Sequence, residues 1–193
     1  MTDWLQTIDQ QAFLFFNGLH NPTLDWIMFW ISVKWIWIPL YAFLLYLITR
    51  EYKWKSLLIL LFIGILITFS DQLSVHLFKN TFQRLRPCHN PEIMDQVHLV
   101  KDYCGGQFGF ISSHATNSFA LAVFLIGILG KKYRYFTLSI LLWAAVISYS
   151  RIYLGVHYPG DVIVGGIFGA VLGLILLVFY KKLNNSFLSK ERK

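Results

Sequence analysis

Charge is scarce in this chain. Asp, Glu, Lys and Arg make up 14% of its 193 residues, against roughly 25% in an ordinary soluble domain. The segment 162–180 (VIVGGIFGAVLGLILLVFY) has none at all. Such poverty excludes an extramembrane globule, and a hydrophobic share of 56% excludes a disordered chain. Acids are scarcer than bases, ten against seventeen, which leaves a net charge of +7. Nucleic acid is not the implied partner, because the cations sit between apolar runs and form no surface stripe. The first 23 residues hold no Lys or Arg and no apolar core ahead of a small-residue cleavage site, so no cleaved signal peptide is expected. There is no internal repeat, no low-complexity tract and no second domain.

What is present is a series of apolar runs near the length of about 20 residues that a membrane-crossing helix requires. They cover residues 24–49, 56–78, 113–130, 135–154 and 162–180. Lys34 and Pro39 interrupt the first. A lysine at mid-bilayer costs roughly 2.5–3.5 kcal/mol, so Lys34 is expected to snorkel or to mark a helix junction. Before these runs, residues 1–20 mix Trp4, Leu5, Ile8, Phe15 and Phe16 with Asp3, Gln6 and Asp9, the pattern of a helix lying in the membrane interface. The expected fold is all-α: one domain over 1–193, a polytopic helical bundle with five or six membrane segments and an N-terminal interfacial helix.

Loop charges set the expected orientation. Arg50, Lys53 and Lys55 follow the first run, and Lys131, Lys132 and Arg134 follow the third. Lys181, Lys182, Lys190, Arg192 and Lys193 form the tail at 181–193. Alternate loops thus carry the basic residues, and the positive-inside rule assigns them to the cytoplasm. Loops 79–112 and 150–161 then share the extracytoplasmic face. Both cysteines, Cys88 and Cys104, fall in 79–112, where a bonded pair suits the compartment. Two free thiols, or a zinc site recruiting His89 and His98, are the alternatives.

Three polar clusters lie on that outer face. Lys79, Arg84 and Arg86 place cations where the topology rule disfavours them, and forked guanidinium groups suit phosphate oxygens. Lipid-headgroup anchoring is the plainer explanation. Ser112, Ser113 and His114 open the third run, where free backbone N–H groups and the helix dipole favour an anion. A simple helix cap would look the same. Ser150, Arg151, His157, Pro159 and Asp161 precede the last run. His157 and Asp161 are four apart, so the carboxylate can hold one imidazole nitrogen and leave the other as a nucleophile.

In order and spacing these clusters resemble the type 2 phosphatidic acid phosphatases, a family that also includes the vanadium haloperoxidases. The family pattern is Lys-x6-Arg-Pro, Pro-Ser-Gly-His and Ser-Arg-x5-His-x3-Asp. Lys79, Arg86 and Pro87 match the first block, and Ser150, Arg151, His157 and Asp161 the third. In the second block Ser112 and His114 match, while Ile111 and Ser113 replace Pro and Gly. The resemblance spans about residues 70–165. It implies that His157 attacks phosphorus with Asp161 orienting it, and that His114 protonates the leaving group. Lys79, Arg86, Ser112, Ser113 and Arg151 would bind the phosphate, with no metal and no cofactor. Arg84 lies outside the pattern and is expected to meet a headgroup or a second phosphate.

The expected function is hydrolysis of a lipid phosphate or diphosphate in a bacterial inner membrane, through a phosphohistidine. Undecaprenyl diphosphate is the favoured substrate, ahead of phosphatidylglycerol phosphate, phosphatidate and lipid A. A phosphotransferase, or outside the enzyme class a transporter or lipid-binding scaffold, are the alternatives. Gly165, Gly169 and Gly173 recur every four residues, which suits close helix packing within the bundle or in a homodimer.

Overall fold

The computed structural model describes residues 3–190 and the side chains of 4–185, so Arg192 and Lys193 of the basic tail lie outside the described residues. The order of elements is α1 (Asp3–Gly18), α2 (Pro22–Ser32), α3 (Ile38–Tyr52), α4 (Ser56–Leu73), α5 (Asn80–Phe82), α6 (Ser113–Leu129), α7 (Phe136–Tyr153) and α8 (Pro159–Lys190). No strand occurs among the described residues, as an all-α fold requires.

The first apolar run breaks where its sequence is weakest. Val33 is extended (φ −80°, ψ 123°) and ends α2. Lys34–Trp37 then makes one 3-10 turn, and Pro39 lies in the opening turn of α3, where its missing N–H costs nothing. Lys34 is therefore a junction residue, and it is exposed. Pro22 opens α2 in the same way, with Asn21 capping it by accepting the Leu24 N–H at 2.9 Å.

Three stretches are long and apolar enough to cross a membrane: Lys34–Phe82, Phe136–Tyr153 and Pro159–Asn185. The first comprises two helices. The Tyr52 hydroxyl at the end of α3 donates to the Ile128 carbonyl near the end of α6, at 2.7 Å. Ser70 near the end of α4 meets Asn117 near the start of α6. Helices α3 and α4 are thus antiparallel, reversing through Lys53–Lys55. Helix α6 is also apolar but shorter, because Ser113, His114, Thr116, Asn117 and Ser118 fill its first turns.

One core unites α3, α4, α6, α7 and α8 through Leu44, Ile48, Ile59, Leu66, Phe124 and Ile147, with Leu177 from α8. The outward faces are apolar too, with Leu138, Leu142, Ile163, Ile167 and Val178 all exposed. A water-facing surface rarely carries so much apolar area, whereas lipid tails are as apolar as leucine. The chain is a membrane protein.

Helices α6 and α8 form the closest seam. A methyl group on Gly169 would overlap the Thr116 carbonyl, and one on Gly173 would lie 2.5 Å from the Ala120 oxygen. The glycine stripe is therefore used inside the bundle. The seam also carries the Ser112 N–H to the Asp161 carbonyl, at 3.0 Å. Charge is segregated along the bundle. Lys132 pairs with Glu51, which also accepts the Tyr133 hydroxyl at 2.9 Å, so loops 50–55 and 131–134 meet at one end. The three polar clusters gather at the other.

Candidate active site

Local rules place the first pieces. Pro159 opens α8, and Asp161 stands in its first turn, where a carboxylate suits the helix dipole. His157 precedes that turn and is 2% exposed; Asp161 is fully buried. Their i,i+4 spacing brings His157 Nδ1 to 3.4 Å from Asp161 Oδ2, which also accepts the Tyr158 N–H at 3.1 Å. On the other side of the ring, Nε2 faces the Arg86 guanidinium at 3.2 Å. A guanidinium only donates, so Nε2 carries the lone pair and Nδ1 the proton. Burial, followed by the charges of Arg86, Arg151 and Lys79, holds the His157 pKa well below the usual histidine value. The neutral form of the ring is favoured, and its Nε2 lone pair faces the Arg86 guanidinium.

The two arginines of the long loop reach the dyad from one face. Leu85 and Phe108 form an antiparallel bridge, with the Arg86 N–H on the Gln107 carbonyl at 3.1 Å and the Gly109 N–H on the Arg84 carbonyl at 2.8 Å. Residues two apart on an extended segment share a side, so Arg84 and Arg86 both point toward the start of α8. Gly109 permits this approach: a methyl there would lie 3.1 Å from Asp161 Oδ2 and 3.2 Å from Arg86 Cγ. Arg86 is further held by the Gly106 and Val156 carbonyls. A disulfide joins Cys88 to Cys104, with 6.0 Å between Cα atoms.

The remaining cations converge from two helices. Helix α4 runs into a π-helical stretch, Ser74–Lys79, a distortion common at functional sites. It delivers Lys79 Nζ to Ser113 Oγ at 2.9 Å, and Ser113 also meets Ser74 Oγ at 2.7 Å. Arg151, at the end of α7, meets the hydroxyl of Ser32. Lys79, Arg86, Ser113, His114, Arg151 and His157 line one cavity of about 350 Å³. None of Lys79, Arg86 and Arg151 has a carboxylate partner among the described residues. Arg151 Nε and Ser112 Oγ are buried with no hydrogen-bond partner there. Converging uncompensated cations and unused donors form a site for a multiply charged anion.

The residues that the sequence singled out gather at this end of the bundle, and Arg84 has protein partners that its sequence position did not suggest. Its side chain bridges Asp161 Oδ1 at 2.9 Å and Asp9 Oδ2 at 2.8 Å, over the Tyr158 ring at 4.0 Å. Asp9, Ser32 and Gly109 were missed. The one usable signal was the two-residue spacing of Arg84 and Arg86, since Asp9 lies too far along the chain for any local pattern to flag it. His98, without a role in the sequence, pairs with Asp25 at 3.0 Å and stacks on His20, tying α2 to the loop.

Fold and site together define a membrane helical bundle with an anion pocket around a buried, neutral histidine. The profile of the PAP2 superfamily matches residues 52–185. The chain is 44% identical to a lipid A 4'-phosphatase of Bacteroides thetaiotaomicron, over 95% of this chain and 81% of that one. It is 36% identical to a lipid A 4'-phosphatase of Porphyromonas gingivalis, over 92% and 75%. Its structure matches a transmembrane PAP2-type phosphatidylglycerolphosphate phosphatase from Bacillus subtilis with a TM-score of 0.66. That match has 25% identity and covers 94% of this chain and 88% of the other. The chain belongs to the PAP2 superfamily, and it is a phosphatase of that family.

Proposed function

We propose that this protein removes the 4'-phosphate of lipid A by a metal-independent, two-step transfer through a phosphohistidine on His157. The observation that carries the reading is the set of cations without carboxylate partners, Lys79, Arg86 and Arg151, that line one cavity with His157. A phosphate dianion entering there would take the Arg86 donor now aimed at Nε2 and so release the lone pair. Nε2 then attacks phosphorus, the bond from phosphorus to the lipid oxygen breaks, and His114 gives that oxygen its proton. His114 next takes a proton from water, whose oxygen displaces His157 from phosphorus. Asp161 offsets the positive charge on the imidazole between the two steps.

The substrate class follows from what adjoins the pocket. A second, mostly apolar cavity of about 530 Å³ lies between α3, α4, α6 and α7, lined by Tyr41, Leu45, Ile63 and Ile67 among others. It shares Ser32, Ser113 and His114 with the phosphate cavity. An acyl chain there would leave its headgroup at His157. Two relatives sharing 44% and 36% identity, both named lipid A 4'-phosphatases, favour lipid A over undecaprenyl diphosphate, the substrate that sequence alone favoured.

The test is phosphate release from lipid A, undecaprenyl diphosphate, phosphatidylglycerol phosphate and phosphatidate in mixed micelles containing EDTA. Lipid A should show the highest kcat/KM, losing the 4' group, and vanadate should inhibit. A higher kcat/KM on another lipid would overturn the substrate, and loss of all activity in EDTA the metal-free route.

We also place the site at the extracytoplasmic face of the inner membrane, because the basic loops lie at the opposite end of the bundle. After mild reduction, an impermeant maleimide should label Cys88 and Cys104 in intact spheroplasts. Labelling confined to lysed cells would reverse the orientation.

A further inference from the structure

The N-terminal helix enters the site through a chain of charges. We propose that Arg84 and Asp9 are positioning residues for phosphoryl transfer, holding Asp161, and through it His157, in the attacking geometry; this rests on the phosphatase reading above. Asp9 stands on α1 and Arg84 on the long loop, each 13% exposed at the side chain, and Asp161 is fully buried. Asp9 divides its two oxygens. Oδ2 takes Arg84 at 2.8 Å, and Oδ1 takes the Gly160 N–H at 2.7 Å. Gly160 lies in the first turn of α8, where backbone N–H groups have no partner within the helix. One carboxylate from 151 residues upstream thus fixes both the arginine and the helix start that bears Asp161.

Arg84 in turn decides which oxygen of Asp161 faces the imidazole. With Oδ1 engaged by Arg84 at 2.9 Å, Oδ2 is left for His157 Nδ1 and the Tyr158 N–H. Without Arg84, Oδ1 would be buried and unpaired, a costly state for a carboxylate. The nearest remedy is Arg86, whose guanidinium already lies beside the dyad at His157 Nε2. Drawing Arg86 onto Asp161 would take it from the phosphate and rotate the imidazole. Arg84 therefore also keeps Arg86 free for substrate. Helix α1 is docked firmly enough to transmit this constraint, since Phe13 is fully buried with its ring 5.5 Å from that of Tyr158.

The experiment uses the full-length protein in detergent with lipid A as substrate, or phosphatidate if wild type turns it over faster. Asp9→Asn keeps an acceptor for Gly160 but removes the charge facing Arg84. Arg84→Gln removes the bridge, and Asp9→Glu restores the charge. Asp9→Asn and Arg84→Gln should lower kcat by about ten- to a hundredfold, the scale expected for misaligned reacting groups. KM should stay within about threefold and the melting temperature close to wild type, as a defect of aim implies. Asp9→Glu should recover part of the loss. Wild-type kcat in both of the first two variants would overturn the proposal, as would a fall in kcat accompanied by equal loss of thermal stability. A wild-type protein that releases phosphate from no lipid would overturn the phosphatase reading along with it.

Discussion

His157→Ala is expected to abolish phosphate release, lowering kcat by at least about ten-thousandfold, the scale seen when a covalent nucleophile is removed. His157 Nε2 lies in a pocket with Lys79, Arg86 and Arg151, cations that carry no lone pair. No lysine can substitute while Lys79 donates to Ser113. His114 lines the same cavity, but it belongs to α6 and pairs with no carboxylate among the described residues. The variant should still fold, because α8 keeps Pro159, the Asp9 contact to Gly160 and the glycine seam with α6. Wild-type and variant proteins would be compared in single-turnover assays with acid-labile phosphate trapped on the protein. Turnover by His157→Ala within about tenfold of wild type would overturn the phosphohistidine route.

Arg86→Ala should lower kcat/KM by about a hundred- to a thousandfold, the cost of losing a preorganised donor to developing charge. Its guanidinium ties together the parts of the site that come from different segments: Gly106 of the disulfide-closed loop, Val156 before α8, and His157 itself. Arg86→Lys keeps a charge but loses the planar fork, so it should fall between Arg86→Ala and wild type. Steady-state kinetics on all three forms would decide. An Arg86→Ala protein with kcat/KM within about threefold of wild type would show that Lys79 and Arg151 bind the phosphate unaided.

The legible parts of the protein are those governed by short-range rules. Apolar run length marked α4, α6, α7 and α8, because each must satisfy its own backbone in lipid. Proline and lysine marked the break between α2 and α3. The i,i+4 spacing of His157 and Asp161 at a proline-led helix start was enough to pair them, since helix geometry alone brings such residues together. The glycine stripe announced a close seam but not its partner.

The illegible parts are contacts made across the chain. Arg84 was expected to meet a headgroup or a second phosphate because its sequence surroundings are basic, and nothing nearby in the chain offers it an acid. Its two carboxylates come from α1 and α8, 75 residues before it and 77 after it. The π-helical stretch that aims Lys79 and the close approach at Gly109 are likewise set by packing.

The amino-acid sequence by itself determined that the chain is a membrane helical bundle and marked the polar clusters that gather at one end of it. Hydrophobic run length, helix-terminal residues and fixed spacings act locally, so they survive in one dimension. Only the tertiary structure decided how those side chains are aimed. Asp9, Arg84, Asp161, His157 and Arg86 form one ordered line of ion pairs and hydrogen bonds drawn from three separate segments. An arginine shared between two carboxylates takes its orientation from the packing that brings both acids to it.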